Sequence, residues 1–213
     1  MKLNTITRTG SVAASMALLL GLGLSACGSE DTASGSEGGS STSESTEAAP
    51  EEDMEAGAQT FGEGCKLIPA DGAGSFNGMS TAPVASAASA NPLLKTLVSA
   101  VGQAELVDTL NSADALTVFA PTDDAFAKIP KADLDAVLAD KETLTKVLTH
   151  HVVAGQLGPD EVAGEHETLA GDMITVEGSD EEFTVGKENA KVLCGNIPTA
   201  NATVYVVDTV LMP

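Results

Sequence analysis

The chain has 213 residues and a formal net charge of -21, and only 3% of its residues are aromatic, none of them tryptophan. From residue 61 onward it carries 22 acidic side chains against 8 lysines. That balance excludes the basic stripe that nucleic acid requires and opposes anionic headgroups; the shortage of aromatics excludes stacking platforms for bases or sugars.

Residues 1–26 read as an export signal. Lys2 and Arg8 give a positive start, and residues 12–24 form an Ala/Leu/Gly-rich apolar run too short to span a bilayer comfortably. The run ends in Leu24-Ser25-Ala26-Cys27, which resembles a bacterial lipobox. In such signals the Cys thiol receives a diacylglycerol and the chain is cleaved before it. Acylation of Cys27 would meet the two-chain requirement for stable anchoring and would place the protein on the extracytoplasmic face of a cell membrane. An ordinary secretory signal with an incidental cysteine is the other reading.

Residues 27–60 read as an acidic tether. After Cys27 it has nine acids, no Lys or Arg, and no aromatic or β-branched aliphatic residue, so it cannot bury enough apolar surface to offset its ordering entropy. As a flexible coil it would reach roughly 30–35 Å. Residues 61–213 are expected to form one domain with its core in 80–213. With Cys27 assigned to lipid, Cys65 and Cys194 remain as an even pair in an exported chain, where disulfides persist. A bond between them would fasten the start of the domain to a late segment; two free thiols are the alternative.

Within the domain, residues 61–81 are Gly-rich and expected to be irregular. Residues 83–89 suit a helix, and Asn91-Pro92 suggests a cap with proline at the first helical position. Leu93, Leu97, Val98 and Val101 recur at helical spacing, and residues 106–110 continue as a helical turn. Residues 116–119 are β-formers, and Pro121 ends that strand because it lacks an N–H. Thr122 is placed to cap a short helix, with Asp123 and Asp124 on its first turn. A helix follows over 131–138, with Leu134, Val137 and Leu138 inward. Asp140 caps another, whose face is Leu144, Val147, Leu148, His151 and Val152. Short β candidates lie at 168–169, 173–176, 182–185 and 191–193. The run 203–213 is apolar on both alternations and therefore central.

Three motifs in this order resemble the signatures of the fasciclin (FAS1) domain: residues 116–130, residues 148–155 and residues 201–213. The second departs from the family's Tyr-His pair, since His150 stands in the Tyr position. The resemblance implies an α+β fold, a β-sandwich or wedge with helices packed along it, present in one copy. The paired cysteines and the 194–205 stretch are most similar to small single-domain secreted and lipid-anchored fasciclin proteins of actinobacteria. The family implies adhesion rather than catalysis, and no cofactor.

His151 is the most tempting catalytic side chain, but its place on an apolar face reads as a buried histidine bonded to backbone. His150 lies off that stripe and reads as exposed. His150, His151 and His166 have no H-x-x-x-H spacing, so no metal site is assigned. No Gly-x-Ser-x-Gly elbow is present. Asp123 and Asp124 read as capping residues, and residues 180–182 as a solvated turn rather than a calcium loop. Asp208 reads as an acceptor of backbone or hydroxyl bonds. In animal fasciclin proteins an Asp-Ile motif and the Tyr-His motif are implicated in integrin contact. The corresponding residues are Asn196-Ile197 and His150-His151, so no integrin is carried over. His150, Asn196 and Ile197 remain the candidate binding surface for a surface or matrix protein, which should present a basic patch. The alternative is a carrier holding a lipid or small envelope metabolite in a cleft between sheet and helices. A hydrolase, the third class, would need His151 as its base.

Overall fold

The computed structural model describes residues 56–213. The export signal, Cys27 and most of the tether lie outside the described residues. The β-forming run after Ala115 is strand β1 (Leu116–Pro121), buried at every position. The remaining strands are β2 (Val152–Ala154), β3 (Gly164–Glu167), β4 (Met173–Ser179), β5 (Glu182–Val185), β6 (Ala190–Pro198) and β7 (Ala202–Val207). They form one sheet in the order β2-β1-β7-β6-β5-β4-β3. β1 and β7 run parallel, Leu116 opposite Ala202 through Pro121 opposite Val207; the other neighbours are antiparallel. Val153 bridges Thr168, and the Leu169 N–H donates to Val152 O at 2.8 Å. The two sheet edges thereby meet, curling the strands into a near-barrel wedge.

A strand buried on both faces reads as continuously apolar, and β1 and β7 show why. Leu116, Val118, Ala120, Ala202, Val204 and Val206 pack against helices, whereas Phe119, Tyr205 and Val207 point into the wedge. The helices are α1 (Phe76–Ser80), α2 (Val84–Ala90), α3 (Lys95–Gln103), α4 (Val107–Ser112), α5 (Asp123–Ala127), α6 (Lys131–Ala139) and α7 (Lys141–His150). Thr122 caps α5, accepting from Ala125 N at 3.2 Å. Asp140 caps α7, accepting from Glu142 N at 3.0 Å. The expected α+β wedge flanked by helices is the observed one.

Several local expectations are corrected. Residues 61–81 are not irregular: they hold a 3-10 turn (Glu63–Leu67) and α1. Phe61 fills the mouth of the wedge, its ring 5.4 Å from Phe183 and 6.2 Å from Tyr205. Burying such a ring contributes about 1.5–3 kcal/mol. It exchanges backbone hydrogen bonds with Gly195, where a side chain is excluded because a Cβ would lie 2.2 Å from the Phe61 ring. Helix α3 begins at Lys95, not at Pro92. Asn91 is buried and accepts from Leu93 N at 3.0 Å, a local turn that competes with the helix. Helix α7 ends at His150, and Val152 belongs to β2. The strand expected at 168–169 lies earlier, as the polar edge strand β3, while Thr168 and Leu169 form the sheet closure. The last strand stops at Val207, and Asp208 begins a tail whose Val210 and Leu211 are still buried.

Candidate functional site

The end of α7 sets two adjacent histidines in different surroundings. His151 follows the helix as its C-cap and is 2% exposed. Its Nδ1 lies 2.7 Å from Val147 O, and its Nε2 accepts from the Leu211 N–H at 3.0 Å. A backbone N–H can only donate, so Nε2 is unprotonated and Nδ1–H donates to Val147. Burial pushes this imidazole down from 6.5 to about 4; the Val147 bond opposes the shift, and the neighbouring His150 adds to it. With both nitrogens committed and water excluded, His151 is a structural rivet between α7 and the C-terminal tail. It lacks the access that a general base needs.

His150 is not exposed as expected; it is 6% exposed. The last turn of α7 rolls beneath the β3–β4 turn, and His150 Nδ1 meets Asp172 Oδ1 at 2.8 Å. The Thr168 hydroxyl donates to the same oxygen, and Thr168 N–H donates to Asp172 O at 2.8 Å. Burial raises the Asp172 carboxyl, but hydrogen bonds from Thr168 and His150 outweigh it, and the group lies below its ordinary value. Thr168, Asp172 and His150 are not a catalytic triad. Hydroxyl and imidazole both bond the carboxylate, and no base is bonded to the hydroxyl. His166 is bonded elsewhere, its Nε2 lying 2.9 Å from Val162 O. Among the described residues no group of three or more His, Cys, Asp or Glu is placed to hold a metal ion.

The other candidates separate in the same way. Ile197 is 1% exposed and belongs to the helix-side core, so with His150 buried it cannot form a binding surface. A double irregularity in the β6–β7 register between Val192 and Ile197 turns it inward. Asn196 sits within that irregularity at φ +57° and is half-buried, its Nδ2 donating to Gln59 O at 3.0 Å. Cys65 and Cys194 are disulfide-bonded, with Cα atoms 4.8 Å apart and 129 residues of separation. The bond ties the 3-10 turn to β6. Asp123 does more than charge its own helix: its Oδ1 accepts from Thr96 N at 2.7 Å, capping α3 from across the fold. Asp208 accepts from Lys191 N at 2.8 Å and Thr209 Oγ1 at 3.0 Å, and pairs with Lys128 Nζ at 3.0 Å. Burial would raise its carboxyl, but these bonds together hold it below its ordinary value.

Two polar side chains that organise the core escaped sequence reasoning. Asn201 accepts from Val84 N at 2.9 Å and donates to Leu110 O at 2.8 Å and Ala113 O at 2.9 Å, bolting α2 and α4 to the start of β7. Asp172 is the partner of His150. The available signal was weak: an Asn just before an unbroken apolar strand, and a Gly-Asp turn.

A predominantly apolar cleft does lie between sheet and helices, lined by Val98, Val101, Leu110, Val118 and Leu148, with Thr109, Thr149 and His151 also on its wall and Val107 and Leu169 exposed at its rim. It encloses about 70 Å³, below the roughly 300–1,000 Å³ of ligand pockets. A lipid would require the helices to part.

A family model described as Fasciclin domain matches residues 92–213. Cell surface glycolipoprotein MPB83 of Mycobacterium bovis is 47% identical over 164 residues, covering 73% of this chain and 73% of that protein. Immunogenic protein MPB70 of Mycobacterium bovis is 49% identical over 160 residues, covering 71% of this chain and 81% of that protein. Among solved structures, a FAS1 domain pair from the insect cell adhesion molecule Fasciclin I aligns at 20% identity and a TM-score of 0.47, over 56% of this chain and 45% of that one.

Proposed function

The chain belongs to the fasciclin domain family, and from that premise we propose that it is a non-catalytic recognition module at the cell surface, acting in adhesion. The observation that carries this reading is the 47% identity, over 73% of the chain, to a protein named a cell surface glycolipoprotein. Three features support it. The histidines that a hydrolase would need are committed to structural bonds. The Cys65–Cys194 disulfide suits an oxidising, extracytoplasmic compartment. The lipobox-like run before Cys27 supports attachment through acyl chains on that residue.

The partner is a surface or matrix protein with a basic patch, complementary to the acidic domain. Two measurements test this. Deleting the gene product should reduce aggregation or surface attachment of the cells; unchanged attachment refutes the adhesive role. Cys27→Ala should abolish labelling by a radioactive fatty acid and release the protein from membranes. Persisting label in that variant would refute the anchor while leaving the adhesive role open to the first measurement.

A further inference from the structure

Charge is segregated along the domain. Residues 147–186 hold nine of the 22 acids that follow residue 60 and no Lys or Arg. The other thirteen acids share the rest of the domain with all eight lysines. Strands β3, β4 and β5 fall within 147–186, so an asymmetry of the sequence becomes an acidic end of the sheet.

The outer face of that end is uncovered. Ile174, Val176, Phe183 and Val185 point into the wedge, so strand alternation turns Met173, Thr175 and Glu177 of β4 and Glu182 and Thr184 of β5 outward. Glu165 stands opposite Thr175 and Glu167 opposite Met173, which puts both on the same outer face. No residue of β3, β4 or β5 belongs to the helix-side core. The four glutamates are exposed, and so is Met173, at 57%. The ion pairs among the described residues involve other acids: Asp208, Glu105 and Asp172.

Opposite charges across strands stabilise a sheet, and like neighbours destabilise it. Here Glu177 is the diagonal neighbour of both Glu165 and Glu182, at about 7–8 Å, within a Debye length of about 8 Å. Glu165 and Glu167 lie about 7 Å apart along β3, from the strand rise. Edge protection does not account for this pattern. Lysine guards an edge as well, and β4 and β5 are interior strands. Lys66 and Lys191 line a groove at the β5–β6 margin beside Glu177, Glu181 and Glu182, so the uncompensated charge centres on β3 and β4.

We propose that this face is the docking surface for the basic partner, a protein surface that sets Lys or Arg side chains at strand spacing. Such side chains would replace the repulsion between the glutamates by attraction, and Met173 would supply an adaptable apolar contact beside Glu167. Three strands give a face of about 14 by 17 Å, well below a standard interface. Each contact is therefore weak, and attachment draws on many copies.

The inference rests on the recognition reading and deepens it by locating the contact. Cells lacking the gene product are complemented with the native full chain or with Glu165→Lys/Glu167→Lys/Glu177→Lys. A third set receives Asp71→Lys/Asp114→Lys/Asp135→Lys, an equal charge change at exposed positions outside residues 147–186. At about 0.15 M salt the face variant should restore at least about fivefold less attachment than native protein, and the control at least about half as much as native. The face variant should melt no lower than native protein, since like-charge repulsion is removed. If it does not fold, Glu165→Gln/Glu167→Gln/Glu177→Gln carries the same test, with a loss of at least about threefold. Native-like attachment by the face variant overturns the proposal. An equal loss in face variant and control also overturns it, because net charge rather than this face would then be responsible. If native protein itself fails to restore attachment, the recognition reading fails and the proposal falls with it.

Discussion

Replacing His151 by Gln isolates one pH-dependent element of the fold. In the native protein the imidazole is held neutral, its value lowered from 6.5 to about 4 by burial. The unfolded chain therefore binds more protons than the folded one between these values, and stability rises with pH across that window. The neutral form's contribution is fully present above about pH 6.5 and is lost as pH falls toward 4. At about 1.4 kcal/mol per unit, the 2.5-unit gap amounts to about 3 kcal/mol. Gln retains a carbonyl for Leu211 N–H and an amide for Val147 O but does not titrate. Imperfect reach should cost about 1–2 kcal/mol at pH 7. Urea titrations at half-unit steps from pH 7 to 4 should show native stability falling by about 3 kcal/mol more than the variant's. Asp172 does not touch His151 and remains in both proteins, so its contribution cancels in the difference. Parallel curves would refute the assignment of His151 as a buried neutral rivet.

Reducing the Cys65–Cys194 bond, which spans 129 residues, releases a loop whose closure is worth about 5 kcal/mol in the chain-entropy model. Dithiothreitol should lower the urea midpoint correspondingly, and a loss under about 1 kcal/mol would show that the bond does not restrict the unfolded chain. Asn201→Ala removes three hydrogen bonds to Val84, Leu110 and Ala113. It should cost about 3 kcal/mol in thermal or chemical denaturation; a loss near zero would mean that water replaces the amide.

Legibility followed the range of the signal. β1 and β7 were readable because burial on both faces leaves a run with no polar alternation, and the Thr122 and Asp140 caps because a cap acts within three residues of itself. Phe61 was missed because a lone aromatic among glycines has no period; its partners, Phe183 and Tyr205, are more than a hundred residues away. β3 was missed because an edge strand over Gly164–Glu167 buries almost nothing. His150 was misread because its exposure was judged from the helix face alone, while Asp172 reaches it from a separate hairpin. Asn196 was singled out through a family motif.

A basic protein partner would answer to salt, and the charge distribution says how. Among the described residues only two lysines form ion pairs with acids, Lys128 with Asp208 at 3.0 Å and Lys141 with Glu105 at 2.6 Å. Most of the 22 acids after residue 60 are therefore uncompensated. Their field would steer a basic protein toward the domain at low ionic strength. Raising salt from about 0.15 M to 1 M shortens the Debye length from about 8 Å to 3 Å, so attachment through such a partner should weaken severalfold, mainly by slower association. Attachment measured with native protein across that salt range tests this route: salt-insensitive attachment would refute a basic partner held by the acidic surface.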